Sequence, residues 1–145
     1  VIGKLREGPT KKELDKKGIK EKVKFVSDLT SDEIAQLYAE STIAVSPSVY
    51  EGFGFPAGEA MSCGIPLVST NGGSLPEVVG DAGIVVNHSD PYSLYKGIKE
   101  LLDDDEKRLM YGKMGRDRVL DKFTWERAAR ELVDVYKEAI INANN

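Results

Sequence analysis

One cysteine, one histidine and one tryptophan are all that 145 residues hold of those three types. The single cysteine, Cys63, excludes an internal disulfide and fits a reducing compartment. Beside Gly64 at a predicted helix end, it reads as a small buried side chain rather than a nucleophile. The single histidine, His88, falls in the polar loop Asn87-His88-Ser89-Asp90 and reads as a surface residue rather than a general base. Basic excess is absent: the net charge is −4, which gives no electrostatic reason to expect nucleic acid. No apolar run approaches the roughly 18 to 20 residues that span a bilayer. No G-x-G-x-x-G follows a predicted strand, which argues against a dinucleotide dehydrogenase. Low-complexity tracts, internal repeats and linkers are missing too.

What remains is 41% hydrophobic and 30% charged, the balance of a soluble globular protein. The length suits one domain with a real core, and a cytoplasmic location is expected. Short β-branched runs alternate with helical patterns along the chain. Strands are predicted at residues 1–3 (the tail of a buried strand), 23–26, 43–46, 65–69 and 83–86. A short helix over 11–17 is capped by Thr10 and ended by Gly18. Ser31 caps a helix with Ile34, Leu37 and Tyr38 on one face. Further helices are predicted at about 56–63, near 75–77, from Asp90-Pro91 onward with Leu94, Ile98, Leu101 and Leu102 inward, and over about 104–120. The last begins at Thr124 and places Trp125, Ala129, Leu132, Val133, Tyr136 and Ile140 on one stripe, read as core. Alternation of this kind predicts an α/β fold, a Rossmann-like parallel sheet with helices on both faces. Ligands in such sheets bind beyond the carboxyl ends of the strands, at segments 27–31, 46–56 and 70–77.

The second of those segments is the richest. Pro47 ends a strand, Gly52 and Gly54 loosen the backbone, and Pro56 suits a helix start. Free N–H groups and the positive end of a helix dipole should gather just after Glu51, an anion or hydroxyl site. Glu51 and Glu59 are eight positions apart, about 2.2 turns of a continuous helix, but the intervening glycines and proline exclude one. Both carboxylates can then face one cleft and accept hydrogen bonds from ligand hydroxyls. A tight loop with Glu51 capping a helix and Glu59 in solvent fits the spacing equally well. Tyr50 and Phe53 read as packing supports of this loop. Glu77 either shapes the rim or favours its helix dipole. The run Asp103-Asp104-Asp105-Glu106 reads as a solvated helix start rather than a metal cluster.

Pro47-Ser48, Glu51, Gly52-Phe53-Gly54, Glu59-Ala60-Met61 and Gly64-Ile65-Pro66 together resemble the E-x7-E signature of the retaining GT-B glycosyltransferases of the group 1 family. The likeness continues through Gly72-Gly73, Pro76-Glu77-Val78-Val79, Ala82-Gly83, Phe123-Thr124-Trp125 and Tyr136. This resemblance implies the C-terminal, donor-binding half of a GT-B fold. It also implies transfer of a sugar from a UDP-, GDP- or ADP-linked donor, with retention and without an obligatory metal or other cofactor. Glu51 would bind donor-sugar hydroxyls and stabilise charge at the reacting carbon. Glu59 would hold the ribose, and the backbone of Gly52, Phe53, Gly54 and Phe55 would meet sugar and phosphates. The base would lie against Phe25, Val26 and Ser27; the family often has glycine where Ser27 stands, which leaves the base open. The family's opening strand and helix, with their basic residues, precede Val1, as does the acceptor-binding N-terminal domain. The chain is therefore expected to be a partial donor-binding domain, residues 1–145, whose glycan or lipid acceptor and any peripheral membrane contact belong to the other half. The family's last helix crosses to that half, so part of the Trp125 stripe should be exposed. Related readings are a nucleotide-sugar epimerase, disfavoured by the placement of His88, and a binding-only fragment.

Overall fold

The structure is a computed structural model and describes residues 1–143. Two compact units divide the chain, one covering Val1–Ile34 and the other beginning at Ala35.

In the first unit, helix α1 (Pro9–Lys16) starts with Pro9 after Gly8, so Thr10 is inside the helix and not its cap. Proline suits that position because its missing N–H would have no partner there. The strands expected at 1–3 and 23–26 reduce to one parallel bridge, Ile2 with Val26. Gly3 N donates to the Val26 carbonyl at 2.6 Å and Val26 N to the Val1 carbonyl at 3.0 Å. Ile2 is 48% exposed, so this is no buried strand: β-propensity becomes a strand only where neighbours pair with it and pack on it.

Helix α2 (Ser31–Ala39) spans the division between the units. Its cap is Thr30, one residue before the expected Ser31. Thr30 Oγ1 accepts from Glu33 N at 3.3 Å while Glu33 Oε2 accepts from Thr30 N at 2.7 Å, a reciprocal capping box.

The second unit is built on three parallel strands in the order β1 (Ala44–Ser46), β2 (Leu67–Thr70), β3 (Ile84–Val86). Val45 pairs with Val68, and Ser69 with Val85. All four residues of β2 are buried, so both its faces are covered. Helices α3 (Phe55–Ser62), α4 (Leu75–Val79), α5 (Pro91–Asp103) and α6 (Asp105–Lys122) flank the sheet. Their inward residues Ala57, Ala60, Met61, Leu75, Val78, Val79 and Leu101 make the core with Leu67 and Val68. Burial of such side chains supplies about 1.5 to 3 kcal/mol each for the larger ones. α6 lies directly on α3: a Cβ at Gly112 would come within 2.3 Å of the Gly64 carbonyl, and one at Gly115 within 3.2 Å of Met61 Cγ.

Side-chain caps set the starts of α5 and α6. Asp90 Oδ1 accepts from Tyr92 N and Ser93 N, both at 3.1 Å, and Asp104 Oδ1 accepts from Lys107 N at 2.9 Å. Arg108 then donates to the last carbonyls of α5, Leu101 at 2.6 Å and Leu102 at 2.9 Å. Leu102 is itself 55% exposed rather than inward, one step off the buried stripe.

The last helix, α7 (Trp125–Ala143), has no buried residue. Trp125 is 87% exposed, and Leu132, Val133, Tyr136 and Ile140 are exposed with it. The stripe read as core is open over its whole length, because amphipathic spacing marks a face to be covered without saying by what.

Candidate functional site

The carboxyl ends of β1 and β2 carry two loops that close on each other. Thr70, 3% exposed at the end of β2, donates its hydroxyl to the Ser48 carbonyl and, at 3.4 Å, to the Ser46 carbonyl. Ser48 Oγ donates to Glu51 Oε1 at 2.7 Å. The Glu51 carbonyl accepts from both Ser74 N and Ser74 Oγ, each at 3.1 Å. Between these bonds lie Gly72 and Gly73. A Cβ on Gly72 would sit 2.5 Å from the Val49 carbonyl oxygen, and one on Gly73 would sit 2.2 Å from that of Glu51. No side chain fits at either position. Gly73 also has φ +61, in the left-handed region that favours glycine.

After Glu51 the chain turns through Gly54, at φ +94, into α3. Ala57 N and Gly58 N donate back to the Gly54 carbonyl at 3.0 and 3.2 Å. Among the described residues, the N–H groups of Gly52, Phe53, Gly54 and Phe55 take no hydrogen-bond partner. They stand at an uncapped helix start, where the dipole favours negative charge. Phe53 is a packing support: its ring lies 4.9 Å from Phe55 and 5.7 Å from Phe123, centroid to centroid. Tyr50 is 78% exposed and supports nothing comparable.

Glu59 lies on the outer face of α3 and lines a cleft of about 440 Å³ with Phe53, Phe55, Phe123, Trp125 and Glu131. Glu51 does not line that cleft; it belongs to the wall formed with the Gly72–Ser74 loop. Beneath α3, the Tyr38 hydroxyl donates to the Pro56 carbonyl at 3.1 Å. Burial first, then the charges of Glu59 and Cys63, push the Tyr38 phenol up to about 12.

Phe25, Val26 and Ser27 are half-buried in the first unit. Ser27 Oγ donates to Asp28 Oδ2 at 3.0 Å, and Lys4 Nζ lies 2.9 Å from the same oxygen. Hydrogen bonds from Lys4, then Ser27, hold the Asp28 carboxyl below its usual range.

His88 is exposed; its N–H donates to Asn71 Oδ1 at 2.7 Å. Cys63 is half-buried rather than buried. Glu77 is exposed, and its backbone carbonyl accepts from Arg118 at 2.7 Å. Among the described residues no three His, Cys, Asp or Glu side chains come together as a metal site. Ser74 is the participant that sequence reasoning missed. A serine after two glycines at a strand end is a turn signal, but its bond to Glu51 crosses 23 positions and leaves no local mark.

The family model described as Glycosyl transferases group 1 matches residues 1–118. The MMP alpha-(1->4)-mannosyltransferase of Mycolicibacterium hassiacum is 40% identical over 136 residues, which is 92% of this chain and 33% of that protein. The O-antigen chain mannosyltransferase B of Escherichia coli is 38% identical over 115 residues, 79% of this chain and 30% of that one. The solved sucrose-phosphate synthase of Thermosynechococcus elongatus superposes with a TM-score of 0.82 at 29% identity, over 92% of this chain and 34% of its own. The chain thus spans about a third of the length of the curated relatives it matches.

Proposed function

The chain belongs to the glycosyl transferases group 1 family, and we propose that it is the donor-binding part of a retaining glycosyltransferase with a nucleoside diphosphate sugar as donor. The observation that carries this reading is a carboxylate, Glu51, fixed in the loop between β1 and α3 beside the unpartnered N–H groups of Gly52, Phe53, Gly54 and Phe55.

In this reading the Glu51 carboxylate accepts hydrogen bonds from donor-sugar hydroxyls. It also stabilises positive charge as the bond from the anomeric carbon to phosphate breaks. The acceptor oxygen replaces the nucleoside diphosphate on the same face of the sugar, and the acceptor's hydroxyl proton passes to the departing phosphate oxygen. The four N–H groups and the α3 dipole serve the sugar and the diphosphate, with basic side chains completing the charge balance. That arrangement asks for no obligatory metal. Glu59 holds the ribose. Two of the similar proteins are mannosyltransferases by name, which favours a hexose as the transferred group. The acceptor is a glycan, a lipid or a small molecule met by the rest of the protein. No described helix is long and apolar enough to cross a membrane.

The test is an assay of the full-length protein with UDP-, GDP- and ADP-linked hexoses, preceded by a thermal-shift screen against the same donors. Transfer from one of them, abolished by Glu51→Ala, is expected. Undiminished transfer by that variant would refute the role of Glu51.

A further inference from the structure

We propose that Ser48 is a positioning residue that aims the Glu51 carboxylate, and that Thr70 and Ser74 hold the frame in which it does so. This rests on the reading of Glu51 as the residue that meets the donor sugar.

A glutamate on a loop has a poorly defined carboxylate, because its last torsion is broad and roughly two-fold. Here one oxygen is fixed. Ser48 Oγ donates to Oε1 at 2.7 Å, while Oε2 accepts no hydrogen bond among the described residues and is left for a ligand. The serine is itself held from below: its carbonyl accepts the hydroxyl of Thr70, which is buried at the end of the central strand. The main chain of Glu51 is fixed independently, by two bonds from Ser74 to its carbonyl. Gly72 and Gly73 let the two loops meet with no side chain between them. The carboxylate is therefore held at both ends, its backbone by Ser74 and its head by Ser48. Such preorganisation matters for a group that acts in a transition state, because a mobile carboxylate must be reoriented in every turnover.

A serine that merely closes a turn would also make the bond from Ser48 to Glu51. The two roles separate by readout. In the full-length enzyme with its donor, Ser48→Ala should lower kcat by about ten- to a hundredfold, the range expected for losing a hydrogen bond to a charged group. Donor KM should stay within about threefold and the thermal midpoint should not move. Ser48→Thr, which keeps a hydroxyl, should recover most of the rate. In a Glu51→Gln background, Ser48→Ala should add little, since the two residues act as one unit.

Unchanged kcat in Ser48→Ala, with Glu51→Gln strongly impaired, would overturn the proposal and leave the role of Glu51 standing. A fall in kcat that tracks a fall in thermal midpoint, without rescue by threonine, would mark Ser48 as a turn residue only. Full activity of Glu51→Gln would instead remove the functional reading itself. Thr70→Val, which keeps shape but removes the donor to Ser48, should give a smaller kcat loss of the same kind; an unchanged kcat would show that the frame does not depend on Thr70.

Discussion

The ring of Phe53 meets the ring of Phe123 edge-on, with planes 89° apart and centroids 5.7 Å apart. Phe53 lies in the loop after Glu51, and Phe123 is the residue at which α6 ends, just before α7 begins. The loop with the unpartnered N–H groups is thus braced against the junction of the last two helices. Edge-to-face pairs contribute about 0.5 to 1.5 kcal/mol beyond burial. Phe123→Ala should therefore lower stability by about 1 to 3 kcal/mol in urea titration. It should also weaken donor binding, because the loop loses its wall. Phe123→Leu should recover much of the stability and less of the binding. Equal donor affinity in all three forms would show that the brace is only structural.

Two glycines, one in the loop after β2 and one inside α3, should respond in opposite directions to alanine. At Gly73 the φ is +61 and the new Cβ would meet the Glu51 carbonyl oxygen at 2.2 Å. Gly73→Ala should cost at least about 2 kcal/mol and displace the bonds from Ser74 to Glu51. Gly58 lies within α3, where an added Cβ meets nothing within 4 Å. Gly58→Ala should stabilise by about 0.4 to 1 kcal/mol, chiefly by restricting the unfolded chain. Chemical denaturation of the two variants decides both claims. A stable Gly73→Ala would mean that the two loops can part without penalty.

These positions also show what could be read before the fold was known. Glu51, the glycines and Pro56 are local signals, since each acts on the backbone within a few residues, and the loop-to-helix turn stands where they put it. Ile34, Leu37 and Tyr38 lie at helical spacing and are the least exposed residues of α2. The cap is Thr30 and not Ser31: both are good caps, and only the reach of Glu33 chooses between them. Residues 1–3 and 23–26 have strand composition yet form one bridge, for a strand is a property of its partners. The open stripe of α7 and the bonds made by Ser74 are long-range facts of the same kind.

Arg118 is another long-range residue with a measurable role. From α6 it donates to the Val78 carbonyl at 2.8 Å and the Glu77 carbonyl at 2.7 Å, and its side chain is 17% exposed. These carbonyls belong to the last turn of α4, where helix ends lack internal partners. Arg118→Met should lower stability by about 1.5 to 3 kcal/mol, as hydrogen bonds from a charged donor are lost. Arg118→Lys should recover only part, because an ammonium group does not reproduce the planar fork. A thermal midpoint within about one degree of the parent for Arg118→Met would mean that water replaces the guanidinium freely.

Tyr38 makes stability depend on alkaline pH in a direction that can be worked out. Its phenol is pushed up to about 12 in the folded chain, from an ordinary value of 10.0, first by burial and then by Glu59 and Cys63. The folded state therefore holds this proton more tightly than the unfolded state. The stability linked to it is fully present below pH 10 and is lost as pH rises from about 10 to about 12. Tyr38→Phe keeps the buried ring but loses the hydroxyl that donates to the Pro56 carbonyl at 3.1 Å. At pH 8 the variant should be less stable by about 0.5 to 1.5 kcal/mol, one hydrogen bond. Above pH 10 only the parent carries the phenol's penalty, so the two urea midpoints should converge as the lysines titrate equally in both. A gap that stays constant from pH 8 to pH 11 would mean that the Tyr38 hydroxyl reaches solvent and that α3 is not anchored through it.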